Sequence, residues 1–189
     1  MTAPALYRHV AGRDELLSLL IAACHDELTA ACEAAAAAVP DDPELRLRAA
    51  TWEFRGWALA HRPEFGLLYG TPIVGYSAPA QGPSSQSGRR FGQLFGGLFV
   101  ALQRAGRLRT APAGALPPGL QADLRAAAER LGLQMSPDDV HTFVVGYSRM
   151  LGVVSVEVAG HLRWALSDSE PFVRGQLEDA LADLLLPRC

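Results

Sequence analysis

The first residues of the chain bring together side chains that can bind phosphate groups. Thr2 is placed to cap a short helix, and Pro4 falls in its first turn, where a missing N–H costs nothing. Arg8, His9 and Arg13 form a basic patch in a chain whose formal net charge is −3. A site for a polyanion such as nucleic acid must therefore be local, and this patch is the candidate.

Two short elements have to position that patch. Leu6 and Val10 are four residues apart and therefore share one face of the first helix. Gly12 ends this helix. Arg13 begins the next one, whose free N–H groups form an anion site beside the arginine charge.

The same stretch resembles the recognition helix and the following turn of the TetR family of bacterial transcription regulators. The family pattern is roughly small-Ser/Thr-x-x-x-Leu-Tyr-x-His-Phe-x-x-Lys-x-x-Leu. The chain follows it with Thr2, Leu6, Tyr7, His9, Val10, Arg13 and Leu16. Val10 replaces the usual aromatic residue, and Arg13 replaces lysine but keeps its charge.

This resemblance implies a role in DNA binding for each polar residue of the patch. A recognition helix enters the major groove, while flanking polar groups hold phosphates. The implied contacts are phosphate oxygens for Thr2, Tyr7, His9 and Arg13, thymine methyl groups for Ala3 and Ala5, and a base or a phosphate for Arg8. The implied partner is a DNA operator, provided that the DNA-binding head is complete.

In the family, two helices precede the recognition helix and support it. A helix of about ten residues is marginal in water without such partners. We therefore expect Met1 to be an internal methionine, and the chain to be a fragment or to have a miscalled start. On this interpretation, DNA binding is impaired while the first two helices are missing.

The rest of the chain follows helical periodicity throughout. Helices are predicted over 14–38, 43–61, 63–69, 88–106, 120–132, 136–162 and 168–186. Loops rich in Gly, Pro and Ser are predicted over 70–88, which we expect to be disordered or partly ordered, and over 108–119. The predicted fold is all-α, a TetR-like helical bundle. Its predicted domains are the remnant of a helix-turn-helix (1–17) and a regulatory and dimerisation domain (18–189).

Two further segments resemble the C-terminal domain of one TetR subgroup. That subgroup ends a helix with Ala-x-x-His-Pro-x-x-Phe, and the chain has His61, Pro63 and Phe65 with Arg62 inserted. Its second pattern is near Trp-x-x-x-His-Gly-x-x-x-x-Glu-x-x-Gly-His. The chain follows that pattern with Gly152, Glu157, Gly160 and His161, and has Tyr147 and Leu151 at the Trp and His positions.

The resemblance also implies an apolar pocket for an unidentified small-molecule effector. The candidate lining residues are Trp57, Phe65, Tyr69, Phe91, Phe95, Phe99, His141, Tyr147 and Met150. Arg55, His141 or Tyr147 could orient the effector. Gly92, Gly96 and Gly97 weaken their helix, which suggests close packing of another element or room for a ligand. The alternative for most of the aromatic residues is an ordinary core.

The last two long helices are predicted to form a homodimer. The helix over 136–162 is apolar on two sides, and the following helix carries a leucine stripe, so both elements need partners. The candidate interface residues are Val154, Val158, Leu177, Leu181 and Leu184. Four helices from two subunits would then make a bundle.

Other functional classes receive little support from the sequence. No metalloprotease, serine-hydrolase, P-loop or dinucleotide-binding motif occurs, so we do not expect an enzyme, a metal site or a cofactor. Cys24 and Cys32 are too far apart on one helix for a disulfide, and no apolar run is long enough for a membrane span. We expect a cytoplasmic regulator that represses transcription and responds to a ligand. The alternative is a dimeric ligand-binding or interaction module that no longer binds DNA.

Overall fold

The computed structural model describes residue 10 and residues 12–109 and 115–187. Seven α-helices make up this part of the chain. They are α1 (Arg13–Ala37), α2 (Pro43–Ala60), α3 (Arg62–Tyr69), α4 (Pro83–Arg104), α5 (Pro118–Leu131), α6 (Pro137–Val158) and α7 (Glu170–Leu184). The all-α fold predicted from the sequence is thereby confirmed.

Local signals in the sequence explain where several helices begin. The Asp42 carboxylate accepts hydrogen bonds from the backbone N–H groups of Glu44 and Leu45 at 2.9 and 3.1 Å, and Pro43 opens α2. At α6, Ser136 and Asp139 form a capping box, in which each side chain accepts from the backbone of the other residue. These caps satisfy N–H groups that have no partner inside the helix.

One hydrophobic core joins most of the helices. The long helix α1 packs mainly against α2 and α4, whereas α6 packs mainly against α7 and α5. Leu28 of α1, Phe54 of α2, Leu102 of α4, Val154 of α6 and Leu177 of α7 are all almost fully buried. These five helices therefore contribute apolar stripes to the same interior, which stabilises their relative positions.

Two predicted boundaries are wrong. Helix α4 begins at Pro83 rather than Gly88, and the preceding loop is anchored through Tyr76. The Tyr76 hydroxyl lies 2.9 Å from Ser18 Oγ of α1 and 3.1 Å from Ser84 Oγ of α4. Helix α6 ends at Val158 rather than near residue 162, because Gly160 adopts a left-handed conformation with φ of 71°.

The ends of α4 and α7 are tied together outside the helices. Leu108 and Leu185 form an isolated antiparallel bridge, with Arg109 N–H donating to the Leu184 carbonyl and Leu186 N–H donating to the Arg107 carbonyl, each at 2.8 Å. This pairing stops α7 at Leu184. Among the described residues, no helix has both the length and the apolarity that crossing a membrane requires.

Candidate functional site

A cavity of about 300 Å³ lies between α1, α3, α4 and α6. Most of its wall is aromatic or glycine. The lining residues are His25, Tyr69, Gly88, Phe91, Gly92, Phe95, Phe143, Val144 and Tyr147. The ring of Phe91 lies 5.1 Å from that of Phe95 and 6.2 Å from that of His25. Such a volume is at the small end of the range for ligand pockets in proteins, which starts at about 300 Å³.

Three polar side chains line this otherwise apolar space. The hydroxyl of Tyr69 and Nδ1 of His25 are buried and have no hydrogen-bond partner among the described residues. The hydroxyl of Tyr147 is the polar neighbour of Tyr69, but Tyr69 does not reach it with the geometry of a hydrogen bond. Buried polar atoms of this kind are uncommon, and a ligand in the cavity is one way in which they could gain a partner after a small side-chain movement.

Burial keeps these groups uncharged near neutral pH. Desolvation raises the pKa of the Tyr69 phenol, with a smaller contribution from Tyr147, and it raises the pKa of Tyr147 as well. Desolvation lowers the pKa of His25, against a smaller opposite effect of Asp26. A neutral imidazole and two neutral phenols therefore face the cavity.

A second, much smaller void of about 20 Å³ lies deeper, between α2, α4, α6 and α7. Phe95, Phe143 and Tyr147 line both spaces. Phe99 and Met150 contact only the smaller one. The smaller void has room for about one water-sized probe, so the larger cavity is the candidate ligand site.

The structure brings together only part of the predicted pocket. Tyr69, Phe91, Phe95 and Tyr147 line the larger cavity, whereas Trp57, Phe65 and His141 line neither space.

Two of the residues outside both spaces, Trp57 and Phe65, have other partners. Trp57 stacks on His61 with ring centroids 4.8 Å apart, and its Nε1 donates to Glu27 at 3.3 Å. Phe65 packs edge-on against Phe54.

Sequence reasoning missed His25 as a lining residue. Its ring meets Tyr69 edge-on at a centroid distance of 6.0 Å, and a Cβ atom added at Gly88 would come within 3.6 Å of it. Glycine at this position keeps α4 close to the imidazole while leaving space open. A lone histidine within a long helix carries no sequence signal, and only the pairing of α1 with α4 reveals its position.

Arg55 does not face the larger cavity. Its guanidinium donates to both carboxylate oxygens of Glu157, at 2.8 and 2.7 Å, and both side chains are buried. The hydrogen bond to Glu157 is the main reason why the pKa of Arg55 is raised. Ser169 adds a third hydrogen bond to Glu157 at 3.2 Å. The arginine therefore joins α2 to α6 and is already occupied.

Most of the predicted dimer-interface residues belong to the core of the single chain. Val154 is 0% exposed and Leu181 is 4% exposed, and Leu177 and Leu184 are similarly buried, while Val158 is half-buried. The four buried residues are covered by the chain itself, because α6 packs on α2, on α4 and on α7. The outward face of the α6–α7 pair consists instead of Val145, Arg149, Gly152, Val156, Phe172, Gln176, Asp179 and Asp183.

The predicted DNA contacts fall mostly outside the described residues. This applies to Thr2, Ala3, Ala5, Tyr7, Arg8 and His9. Arg13 is exposed at the first position of α1, followed by Asp14 and Glu15 in the same turn. Helix α1 continues without interruption through residues 17 and 18, where the two predicted domains meet.

Comparisons with known proteins place this fold in a family. The family model described as "Tetracyclin repressor-like, C-terminal domain" matches residues 47–180, from α2 into α7. Curated relatives include the HTH-type transcriptional regulators Rv1816 of Mycobacterium tuberculosis and Mb1846 of Mycobacterium bovis. Each is 28% identical over 161 residues, which cover 85% of this chain and 68% of the relative.

Solved structures agree with that match. The crystal structure of SCO4313, described as a candidate regulatory protein, has a TM-score of 0.73 and 26% identity, and the match covers 96% of this chain and 80% of that one. A protein of unknown function from Rhodococcus sp. RHA1 has a TM-score of 0.68 at 20% identity, covering 98% and 80%, and shows the fold alone. Because the family model covers well over half of the chain, this chain belongs to the TetR family of DNA-binding transcription regulators.

Proposed function

We propose that this regulator responds to a small molecule that occupies the cavity between α1, α3, α4 and α6, and that it acts as a repressor. The observation that carries the proposal is the buried, unpartnered hydroxyl of Tyr69 in the wall of an aromatic cavity of about 300 Å³. A ligand atom that pairs with this hydroxyl would offset the free energy that its burial costs.

The wall of the cavity supports a link between ligand and DNA. His25 lies on α1, and α1 begins at Arg13, directly after the segment that resembles a recognition helix. A ligand that favours one position of α1 against α4 shifts the population of that position at the DNA-binding end. The coupling is reciprocal, so DNA would weaken ligand binding by the same factor.

On the DNA side, Thr2, Tyr7, His9 and Arg13 would bind phosphates, Ala3 and Ala5 would face the bases, and Arg8 would reach a base or a phosphate. The family and the motif support these roles. A regulator that binds operator DNA works in the bacterial cytoplasm, and we assign this chain to that compartment.

We assign the dimer interface to the outward face of α6 and α7. This face is mixed in character, with Val156 and Phe172 as exposed apolar residues and an ion pair between Arg149 and Asp183 at 2.7 Å. Gly152 has open space around its Cβ position, so a second helix can approach closely there. Two copies related by a two-fold axis would place two recognition helices on one pseudo-palindromic site.

Gel-shift titration with DNA from the promoter of the gene itself tests the DNA-binding part. Provided that the DNA-binding head is complete, we expect specific binding that weakens steeply as salt rises, because phosphate contacts release counterions. Arg13→Ala should weaken binding to all DNA sequences alike, since a phosphate contact carries no base information.

Arg104→Ala serves as the matched control, because Arg104 is an exposed arginine at the far end of α4. It should bind DNA as the unmodified chain does. If a protein with a complete DNA-binding head shows no preference for its promoter at low salt, the alternative of a module that no longer binds DNA is favoured.

A further inference from the structure

The chemistry of the cavity wall limits what the effector can be. Among the described residues, none that lines the cavity carries a side chain charged at neutral pH. Asp26 and Arg90, the charged groups that act on His25, are hydrogen-bonded to each other at a half-exposed site. An anion or a cation entering the cavity would lose part of its hydration without gaining a counter-charge, which is unfavourable.

The shape and lining of the cavity favour an aromatic molecule. The rings of Phe91, Phe95, Phe143 and Tyr147 bound the space, and aromatic rings pack well edge-on or offset against such walls. An apolar cavity of about 150 Å³ is known to bind benzene. A volume of about 300 Å³ is therefore suited to a bicyclic ring system of similar compactness.

The hydroxyl of Tyr69 determines where such a molecule must carry a polar atom. This hydroxyl is buried without hydrogen-bond geometry to any described residue, and the hydroxyl of Tyr147 is its polar neighbour. A ligand oxygen beside this pair can accept from one phenol, and a ligand hydroxyl can also donate to the other phenol or to Nδ1 of His25. The polar end of the ligand would therefore lie at the junction of α3 and α6.

We infer that the effector is a neutral, one- or two-ring aromatic molecule with a hydroxyl or carbonyl oxygen that binds beside the Tyr69 and Tyr147 hydroxyls. This inference rests on the proposed function, in which the cavity is the effector site. It is stated at the level of ligand class, so that binding can be tested without DNA.

Three naphthalene derivatives separate the requirements. They are naphthalene, 2-naphthol and 2-naphthoate, which share one ring system and differ in having no oxygen, a neutral oxygen or a charge. Their dissociation constants can be measured with the 189-residue chain by following naphthyl fluorescence. We expect 2-naphthol to bind about tenfold more tightly than naphthalene, because one net hydrogen bond raises the affinity by about that factor. We expect 2-naphthoate to bind at least about a hundredfold more weakly than 2-naphthol.

The Tyr69→Phe variant tests the assigned contact. It should bind naphthalene as before, and its preference for 2-naphthol over naphthalene should fall to about threefold or less. Tyr147→Phe should lower the same preference. The matched control is Tyr76→Phe, which removes a hydroxyl from the loop outside the cavity and should retain the tenfold preference.

Several results would overturn the inference. They are 2-naphthoate binding as tightly as 2-naphthol, an absence of binding by all three probes, and an unchanged preference in Tyr69→Phe. The gel-shift experiment is independent of these measurements. If 2-naphthol binds with the expected preference but no ligand of this class releases DNA, the ligand class stands and the proposed ligand response fails.

Discussion

At the scale of single residues, the buried pair of Arg55 and Glu157 is the strongest polar link between helices. Arg55 is 9% exposed and Glu157 is 7% exposed, and the two share two hydrogen bonds. Removing the charge on one side would leave the other charge buried without compensation. The pair therefore fixes the position of α6 against α2, and with it the cavity wall that α6 supplies.

We expect Glu157→Gln to lower the free energy of unfolding by about 3 kcal/mol or more, the usual cost of breaking a buried ion pair. Urea denaturation followed by circular dichroism measures this. The control is Asp26→Asn, which breaks the half-exposed pair with Arg90 and should change stability by less than about 1 kcal/mol. Equal losses in the two variants would contradict the structural role assigned to the buried pair.

At the scale of helices, the glycines of α4 allow the chain after α5 to pack closely. A Cβ atom added at Gly96 would lie 2.3 Å from Cδ1 of Leu133, closer than any real contact. A Cβ atom at the adjacent Gly97 would meet nothing within 4 Å. The sequence left two explanations for these glycines, close packing of another element and room for a ligand, and close packing applies at Gly96. Both explanations apply at Gly92, since it faces Leu131 and also lines the cavity.

This difference gives a matched pair of substitutions in one helix. Gly96→Ala should be less stable than Gly97→Ala by about 1 kcal/mol or more, because the Leu133 side chain must leave its position. Gly97→Ala should stabilise the fold by up to about 1 kcal/mol through helix propensity alone. Thermal and urea melting of both variants measures the difference. Equal stability of the two variants would show that Leu133 moves without cost.

The helices were predictable from the sequence where their signals are local. Ser136 followed by Pro137 and Asp139 identifies the start of α6, because capping depends only on adjacent residues. The start of α4 at Pro83 was not predictable, since a segment rich in Gly and Ser resembles a loop. Its extra turn is held by distant contacts, such as that of Ser84 with Tyr76.

The candidate site was predictable only in part for a similar reason. Periodicity shows that one face of a helix is buried, but it does not show what covers that face. The stripe containing Val154 and Leu181 is covered by the chain itself, so it forms core rather than a dimer interface. Tyr69 and Phe91 were predicted as pocket residues, whereas His25 depends on how α1 meets α4.

At the scale of the whole molecule, the distinction between core and outward face determines how a dimer can form. Val156 is 38% exposed on the outward face of α6, while Val154, two residues earlier, is 0% exposed. The two residues are both valines of α6, but one side chain is exposed and the other is buried. The same substitution at the two positions therefore separates an effect on dimer formation from an effect on folding.

We expect Val156→Arg to give a folded monomer, because the charge would lie in the interface and not in the core. Val154→Arg should unfold the subunit, since a buried unpaired charge is very costly. Sedimentation velocity reports the assembly state, and circular dichroism reports folding. A Val156→Arg protein that stays dimeric would exclude this face as the interface.

The geometry of α1 has a mechanical consequence. Helix α1 is 25 residues long, with buried residues from Ser18 to Ala36 and Arg13 exposed at its first position. At about 1.5 Å per residue, His25 lies about 18 Å from the C-terminal end of α1 and Arg13 about 36 Å from it. If α1 tilts as a rigid rod about its C-terminal end, any sideways displacement doubles between these two points. A tilt of about 1 Å at His25 would then move the start of α1 by about 2 Å, and the contact of Ser18 with Tyr76 would have to move with it.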